Sequence, residues 1–169
     1  MSRPLAILCK ALCIAALLGP LASNAQSTRP SCVLLAGMDL KPLLGADHDA
    51  PVEFGKESCR AEAKSPGRMV VLGMEKASEA ELKKWLGNIR EMTAKHRGKE
   101  ATVVNEPTLG AGAFSVREKG KEPRQVEYYA TKGPMMVSVQ GAFAIGPPLG
   151  EATYAQLRAL VAAIQAKLP

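Results

Sequence analysis

The densest cluster of potentially reactive side chains in this sequence is Asp47-His48-Asp49. Imidazole nitrogens and carboxylate oxygens are common ligands of divalent metals, so the cluster is a candidate metal site. The three residues are adjacent, however, and a zinc site would need a further nitrogen or sulfur ligand. A calcium loop would place its acids at alternating positions with a glycine. The pattern therefore favours a solvated loop, and a metal-dependent enzyme that uses His48 is the alternative.

Other patterns that are typical of enzymes are weak. A catalytic serine needs a base that is held by a third group, and only Ser58 with His48 and an acid offers such a set. The segment Gly110-Ala111-Gly112-Ala113 resembles a phosphate loop, but it precedes a predicted strand and lacks the Gly-Lys-Ser/Thr ending. We predict a tight turn there, a structural role for His96 near a helix end, and a protein with no enzymatic activity and no cofactor.

Two apolar segments are the candidates for a partner-binding surface. Tyr128 and Tyr129 are neighbours on a predicted strand, so their side chains point to opposite faces and one should be exposed. Two methionines lie across the predicted hairpin, and an apolar loop follows over 141–148. Ordinary packing within the sheet is the alternative. The candidate contact residues are Tyr128, Tyr129, Met135, Met136, Phe143 and Ile145.

Two long helices are predicted from apolar residues that recur at helical spacing. The first covers 79–97, where Ser78 and Glu81 form a capping box and Gly98 follows the end. Its apolar stripe is Leu82, Trp85, Leu86, Ile89, Met92 and His96. The second long helix covers 151–167. Asp39 caps a short helix that Gly45 ends.

Strands are predicted where apolar residues alternate or form short β-branched runs. A turn at Pro66-Gly67 joins the first two strands, and residues 131–134 form the clearest hairpin turn. Residues 26–31 and 46–56 are predicted to be irregular. The predicted strands are 58–63, 69–74, 101–105, 112–117, 125–130 and 135–140.

This order of elements predicts an α+β fold. A run of strands that one helix interrupts and another closes fits an antiparallel sheet of about five to six strands. We expect the long central helix and the C-terminal helix to pack on one face of that sheet. A doubly wound parallel sheet would need strict alternation of strands and helices.

The first 25 residues are typical of a secretory signal peptide. Arg3 and Lys10 precede or border an apolar run over 11–18, and the segment closes on Ser23-Asn24-Ala25. The run is too short to span a bilayer of about 30 Å. We therefore predict cleavage near Ala25, a single domain over 26–169, and a periplasmic or secreted location.

Cysteine use agrees with an oxidising compartment. Cys9 and Cys13 lie in the predicted leader, so Cys32 and Cys59 remain as one pair. A disulfide between them is the expected state of such a pair outside the cytosol. Their spacing lacks the Cys-x-x-Cys pattern of a redox-active pair.

Charge and hydropathy restrict the classes of partner. The chain of 169 residues has a formal net charge of +6, and the leader contributes Arg3 and Lys10, which leaves +4. This excess is modest, and export makes nucleic acid an unsuitable partner. No later apolar run is long enough to span a membrane.

The sequence resembles a broad group of small exported bacterial domains with a PsbP-like α+β sandwich. Cysteines, leucine pairs and glycine-linked segments carry the resemblance, which spans nearly all of 26–169 and implies a fold but no catalytic residues. Many such domains are lipid-anchored at the early cysteine, whereas Cys32 here follows the predicted cleavage point. The matching residues are Cys32, Leu34-Leu35, Leu43-Leu44-Gly45, Cys59, Gly112, Ala113-Phe114, Lys132-Gly133, Leu157, Leu160 and Ile164.

Together these observations predict an exported, non-enzymatic module that binds another envelope or exported protein. An inhibitor or immunity protein against an exported hydrolase is the narrower form of this hypothesis. A small-ligand carrier and the metal-dependent enzyme at His48 are the alternatives.

Overall fold

A computed structural model describes residues 28–65 and 67–169 of the chain. The predicted leader over 1–25 and Pro66 of the predicted turn lie outside the described residues. The helices are α1 (Pro30–Ala36), α2 (Lys41–Leu44), α3 (Glu79–Arg97) and α4 (Glu151–Lys167). The strands are β1 (Val52–Phe54), β2 (Ser58–Glu62), β3 (Arg68–Lys76), β4 (Ala101–Asn105), β5 (Phe114–Glu118), β6 (Gln125–Lys132) and β7 (Met135–Phe143). A 3-10 turn covers Pro107–Leu109.

The strands form one antiparallel sheet in the order β1-β2-β3-β7-β6-β5-β4. Within it β1 to β3 form one meander and β4 to β7 form another. The two meanders join where β3 pairs with β7, in a register that runs from Arg68 opposite Phe143 to Lys76 opposite Met135. The predicted α+β antiparallel fold is therefore confirmed, with seven strands instead of five to six.

The two long helices cover opposite faces of the sheet, so the expectation that both pack on one face is wrong. On one face, α1, α2 and α4 pack against alternate residues such as Val126 and Tyr128 of β6. On the other, α3 packs against Phe114 of β5 and Met136 of β7. The physical reason is that each face of the sheet carries apolar residues, such as Val126 and Tyr128 on one face and Phe114 and Met136 on the other, which requires a layer on each side.

The larger core lies beneath α4 and supports the fold. All six apolar positions predicted for the α4 stripe are at most 8% exposed, and burying an aliphatic side chain of this size contributes about 1.5–3 kcal/mol. These residues are Tyr154, Leu157, Leu160, Val161, Ile164 and Leu168.

Helix α3 has the predicted bounds and the predicted capping box. The Ser78 hydroxyl accepts from the Glu81 amide, and the Glu81 carboxylate accepts from the Ser78 amide. The C-terminal part of the predicted stripe is wrong, because Met92 is 56% exposed, His96 is exposed and Thr93 is buried instead. The last turn contacts the sheet through a polar side chain instead, because Arg97 donates to Glu127 of β6 at 3.1 Å.

The N-terminal part of the described chain contains more structure than predicted. Residues 30–36 form α1, and Val52–Phe54 forms the edge strand β1, although both regions overlap segments predicted to be irregular. Pro30 suits the first helical turn, and the predicted disulfide between Cys32 and Cys59 joins α1 to β2. The short helix α2 forms and ends at Gly45 as predicted, but its N-cap is Leu40 and not Asp39, whose carboxylate accepts from the Lys41 amide at 3.2 Å.

Within residues 28–65 and 67–169, no helix combines the length and the apolar character that crossing a membrane requires.

Candidate functional site

A groove of about 510 Å³ lies between α3, the turn that joins β6 to β7, and the loop before β5. One side is the α3 face that carries Glu79, Leu82, Lys83, Leu86, Gly87 and Arg90. The other side consists of Ala111 and Gly112 from the loop, Thr131 near the end of β6 and Gly133 from the hairpin turn. This volume is within the range of about 300–1,000 Å³ that ligand sites occupy.

The floor of the groove is apolar and its walls are open. Leu82 and Leu86 are 2% and 7% exposed, so they belong to the smaller core beneath α3. A Cβ atom added at Gly87, Gly112 or Gly133 would meet no heavy atom within 4 Å. Gly87 lies in the middle of α3 and lines the groove, so the absence of a side chain there keeps the groove open.

Arg90 forms the charged end of the groove, and its guanidinium has several contacts within the fold. Its Nη1 lies 2.9 Å from Oδ1 of Asn105, and its Nη2 donates to the carbonyl oxygens of Gly112 and Ala113 at 3.1 and 3.4 Å. The guanidinium also lies over the Phe114 ring, 4.3 Å from its centroid. These contacts fix the direction of the remaining N–H donors before any ligand arrives.

Two more charged residues line the same helix face. Lys83 and Glu79 are exposed and precede Arg90 along α3, with Glu79 at the far end. The charged lining therefore amounts to two cations and one anion, with Lys83 one helical turn from Glu79 and Arg90 at the opposite end. Because the apolar floor lies between them, the groove offers both apolar contact and a positive anchor.

The predicted contact residues of the last hairpin lie mostly in the core. Tyr128, Met136 and Phe143 are buried, Tyr129 and Met135 are half-buried, and Ile145 alone among the six is exposed, at 59%. The expectation that Tyr128 or Tyr129 is exposed is therefore wrong. The three buried residues therefore present little surface in this structure.

Both tyrosine hydroxyls are used inside the protein. The Tyr128 hydroxyl donates to the Tyr154 carbonyl at 3.0 Å, and burial raises the pKa of Tyr128 to about 12. The Tyr129 hydroxyl donates to Glu127 at 2.6 Å, and its ring stacks on Phe114 at 5.1 Å. Burial and the Glu127 carboxylate raise the pKa of Tyr129.

The turn of the same hairpin does reach the groove. Thr131 near the end of β6 and Gly133 in the turn line the groove, whereas none of the six predicted contact residues does. The predicted tight turn over 110–113 lies opposite, with φ values of +112° at Gly110 and +79° at Gly112. Sequence reasoning missed Gly87 and Arg90, although a glycine inside a strongly amphipathic helix is a usable signal.

The Asp47-His48-Asp49 segment forms a loop beside β2. Nδ1 of His48 lies 3.1 Å from the Gly45 carbonyl oxygen, and the Asp49 amide donates to the Glu62 carbonyl at 2.9 Å. Nζ of Lys64 lies 3.8 Å from the Asp47 carboxylate. In the part of the chain that the structure describes, no group of three or more His, Cys, Asp or Glu side chains is placed to hold a metal ion.

A buried ionic cluster lies under α4 at the opposite face of the sheet. Glu106 accepts from Ser115 at 2.7 Å, from Arg117 at 2.9 Å and from Arg158 at 2.7 Å. Burial acts to raise the pKa of Glu106, but the hydrogen bonds from these three side chains outweigh it and hold the pKa below 4.5. Arg117 also covers the Tyr154 ring at 4.3 Å, so the cluster is part of the packing of α4.

A comparison with protein-family models, curated proteins and solved structures finds no match to this chain. The resemblance to PsbP-like exported domains therefore stays a prediction.

Proposed function

We propose that the protein is an exported, non-enzymatic module that binds a segment of another envelope or exported protein. The groove between α3 and the β6–β7 turn is its contact site. The observation that carries this proposal is the open space of about 510 Å³ over Leu82, Leu86 and Gly87, beside the fixed guanidinium of Arg90. An apolar floor with one placed polar anchor is the usual composition of a recognition site.

The disulfide supports the proposed location. Cys32 and Cys59 are joined and buried, and such bonds form and persist in the periplasm or outside the cell. The proposed leader over 1–25 is consistent with the same route. A covalent bond between α1 and β2 also suits a small domain that must keep one rigid surface.

Capture of a partner by matched variants tests the proposal. Gly87→Leu fills the groove from a helical position that has free space, so the fold should be retained. Asn88→Leu adds a similar side chain at the next, exposed residue, which does not line the groove. We expect one stoichiometric partner from an envelope extract on the wild type and on Asn88→Leu, and none on Gly87→Leu.

Equal capture by Gly87→Leu would show that the contact site lies elsewhere. Absence of any partner on the folded, oxidised wild type would overturn the protein-binding hypothesis itself. Circular dichroism and the oxidation state of Cys32 and Cys59 establish that each variant is folded before capture is compared.

A small-ligand carrier is the second candidate, because the groove volume also suits a small molecule. Native mass spectrometry of the protein purified from its own host distinguishes the two. A bound mass that Gly87→Leu loses and Asn88→Leu keeps would favour the carrier.

A further inference from the structure

We propose that the segment bound in the groove is an extended peptide that presents a carboxylate side chain to Arg90 and an apolar side chain to Leu82 and Leu86. This inference rests on the proposed function and names the chemistry of the partner. Three observations carry it: the state of the Arg90 charge, the length of the groove and the nature of its walls.

All of the hydrogen-bond acceptors that Arg90 contacts among the described residues are uncharged. Within residues 28–65 and 67–169 no carboxylate forms an ion pair with it, and its acceptors are an amide oxygen and two backbone carbonyls. Other arginines of the fold do pair with acids, as Arg97 does with Glu127 and Arg117 with Glu106. No carboxylate of the described residues therefore neutralises Arg90 at the end of the groove.

The guanidinium also keeps donors for a ligand. It carries five N–H groups, and the hydrogen bonds to Asn105, Gly112 and Ala113 come from Nη1 and Nη2. Nε of Arg90 donates to none of the described residues. An arginine anchored in this way can receive a carboxylate without first losing side-chain entropy.

The length of the groove favours a peptide over a compact molecule. Its helical side extends from Glu79 to Arg90, which is about 16 Å along α3 at about 1.5 Å per residue. An extended chain covers that distance with about five residues. Gly112 and Gly133 have no side chains on the opposite wall, so a peptide backbone can approach the loop and turn closely.

The order of charges gives the bound segment a direction. Glu79 lies at one end of the groove with Lys83 one helical turn away, whereas Arg90 lies alone at the other end. A carboxylate is therefore favoured at the Arg90 end and disfavoured near Glu79. The apolar side chain fits between them, above Leu82 and Leu86.

Selection from a phage-displayed random peptide library tests the inference. The baits are the wild type, Gly87→Leu and Arg90→Gln, each shown to be folded. We expect the selected peptides to bind the wild type but not Gly87→Leu, and to carry Asp or Glu beside an apolar residue. Replacing that acid by its amide should weaken binding to the wild type by about tenfold or more.

A double-mutant comparison separates charge recognition from loosening of the loop. Arg90→Gln alone could disturb the Phe114 contact, which would weaken acidic and amide peptides equally. We expect instead that the acidic peptide and its amide bind Arg90→Gln with the same affinity, so that the difference seen on the wild type disappears. Lys83→Gln, at an exposed position with no such contact, should reduce the same difference partially.

The outcomes distinguish this inference from the proposed function. Groove-dependent peptides without an acidic residue, or an unchanged difference on Arg90→Gln, would overturn the carboxylate and leave the groove as a contact site. Peptides that bind Gly87→Leu and the wild type with equal affinity would overturn both the carboxylate inference and the groove as the contact site.

Discussion

The carboxylate of Glu106 lies 2.7 Å from Nε of Arg158, although 52 residues separate the two in the sequence. Glu106 directly follows β4, and Arg158 lies in the middle of α4. The Glu106 side chain is 4% exposed and also accepts from Ser115 and Arg117. One buried acid thus connects the edge of the sheet to the C-terminal helix.

Removing this acid should destabilise the fold strongly. Glu106→Ala leaves two guanidinium groups without their shared acceptor, and breaking a buried ion pair in this way costs about 3–5 kcal/mol. The solvent exposure of Arg158 places our expectation at the lower end, about 3 kcal/mol. Urea unfolding followed by the fluorescence of Trp85 measures the change, since Trp85 is the single tryptophan.

A matched control is Glu62→Ala, which removes an exposed carboxylate that pairs with Arg60 at 3.2 Å. Surface pairs contribute only about 0–1 kcal/mol, so this variant should unfold close to the wild type. Equal midpoints for the two variants would contradict the importance that we assign to the buried cluster.

The Glu106 cluster should also make the fold sensitive to acid. The pKa of Glu106 is lower in the folded state than its ordinary value of 4.5, so the unfolded chain binds the proton first. The resulting stabilisation is complete above the unfolded pKa and is lost as the pH falls through the folded pKa. We expect the difference in unfolding free energy between wild type and Glu106→Gln to be constant near neutrality and to shrink below pH 4.5.

At high pH the tyrosines should act in the opposite direction. The chain has three tyrosines, and burial is the largest cause that raises the pKa of Tyr128, Tyr129 and Tyr154 above 10. Unfolded tyrosines ionise near pH 10, so the folded state binds more protons above that pH and loses stability. Tyrosinate absorbance should therefore rise together with unfolding. A rise near pH 10 while Trp85 fluorescence stays native would contradict the burial of these hydroxyls.

Two glycine substitutions should shift stability in opposite directions. Gly87→Ala adds a methyl group to open space in a helix and should stabilise by up to about 1 kcal/mol. Gly141→Ala places a Cβ 2.8 Å from the Phe143 ring and 2.9 Å from Leu157, so it should destabilise by about 1–3 kcal/mol. Thermal unfolding of both variants gives the sign, and a stabilising Gly141→Ala would mean that this core is loosely packed.

The elements that the sequence predicted well are those with several independent signals. Helix α3 has a capping box, an apolar stripe and a glycine after its end, and its bounds are as predicted. Strand β1 and helix α1 have no such combination. Strand β1 is three residues long with every residue exposed, and α1 has no side-chain cap. They form through pairing with β2 and the Cys32–Cys59 bond, which are contacts between distant parts of the chain.

The candidate site was harder to predict than the fold. Tyr128 and Tyr129 looked like one inward and one outward residue, but helices cover both faces of β6 and neither is exposed. Arg90 looked like an ordinary surface cation, since nothing in its neighbours in sequence reveals Asn105, Gly112 and Phe114 around it. Its role depends on a loop more than twenty residues away, as the Gly112 contact shows.

The strand order has a consequence for how the chain acquires its fold. In the pairing of β3 with β7, residues of β3 meet partners 59 to 75 positions later, whereas every other pairing in the described sheet joins strands that are consecutive in sequence. The first meander can therefore form early, but Val70, Val71 and Leu72 stay on an open edge until β7 is available. A chain that stops before Met135, in synthesis or in transit, leaves this apolar edge of β3 free to pair with a second copy. Aggregation during maturation should therefore depend on how quickly β7 follows.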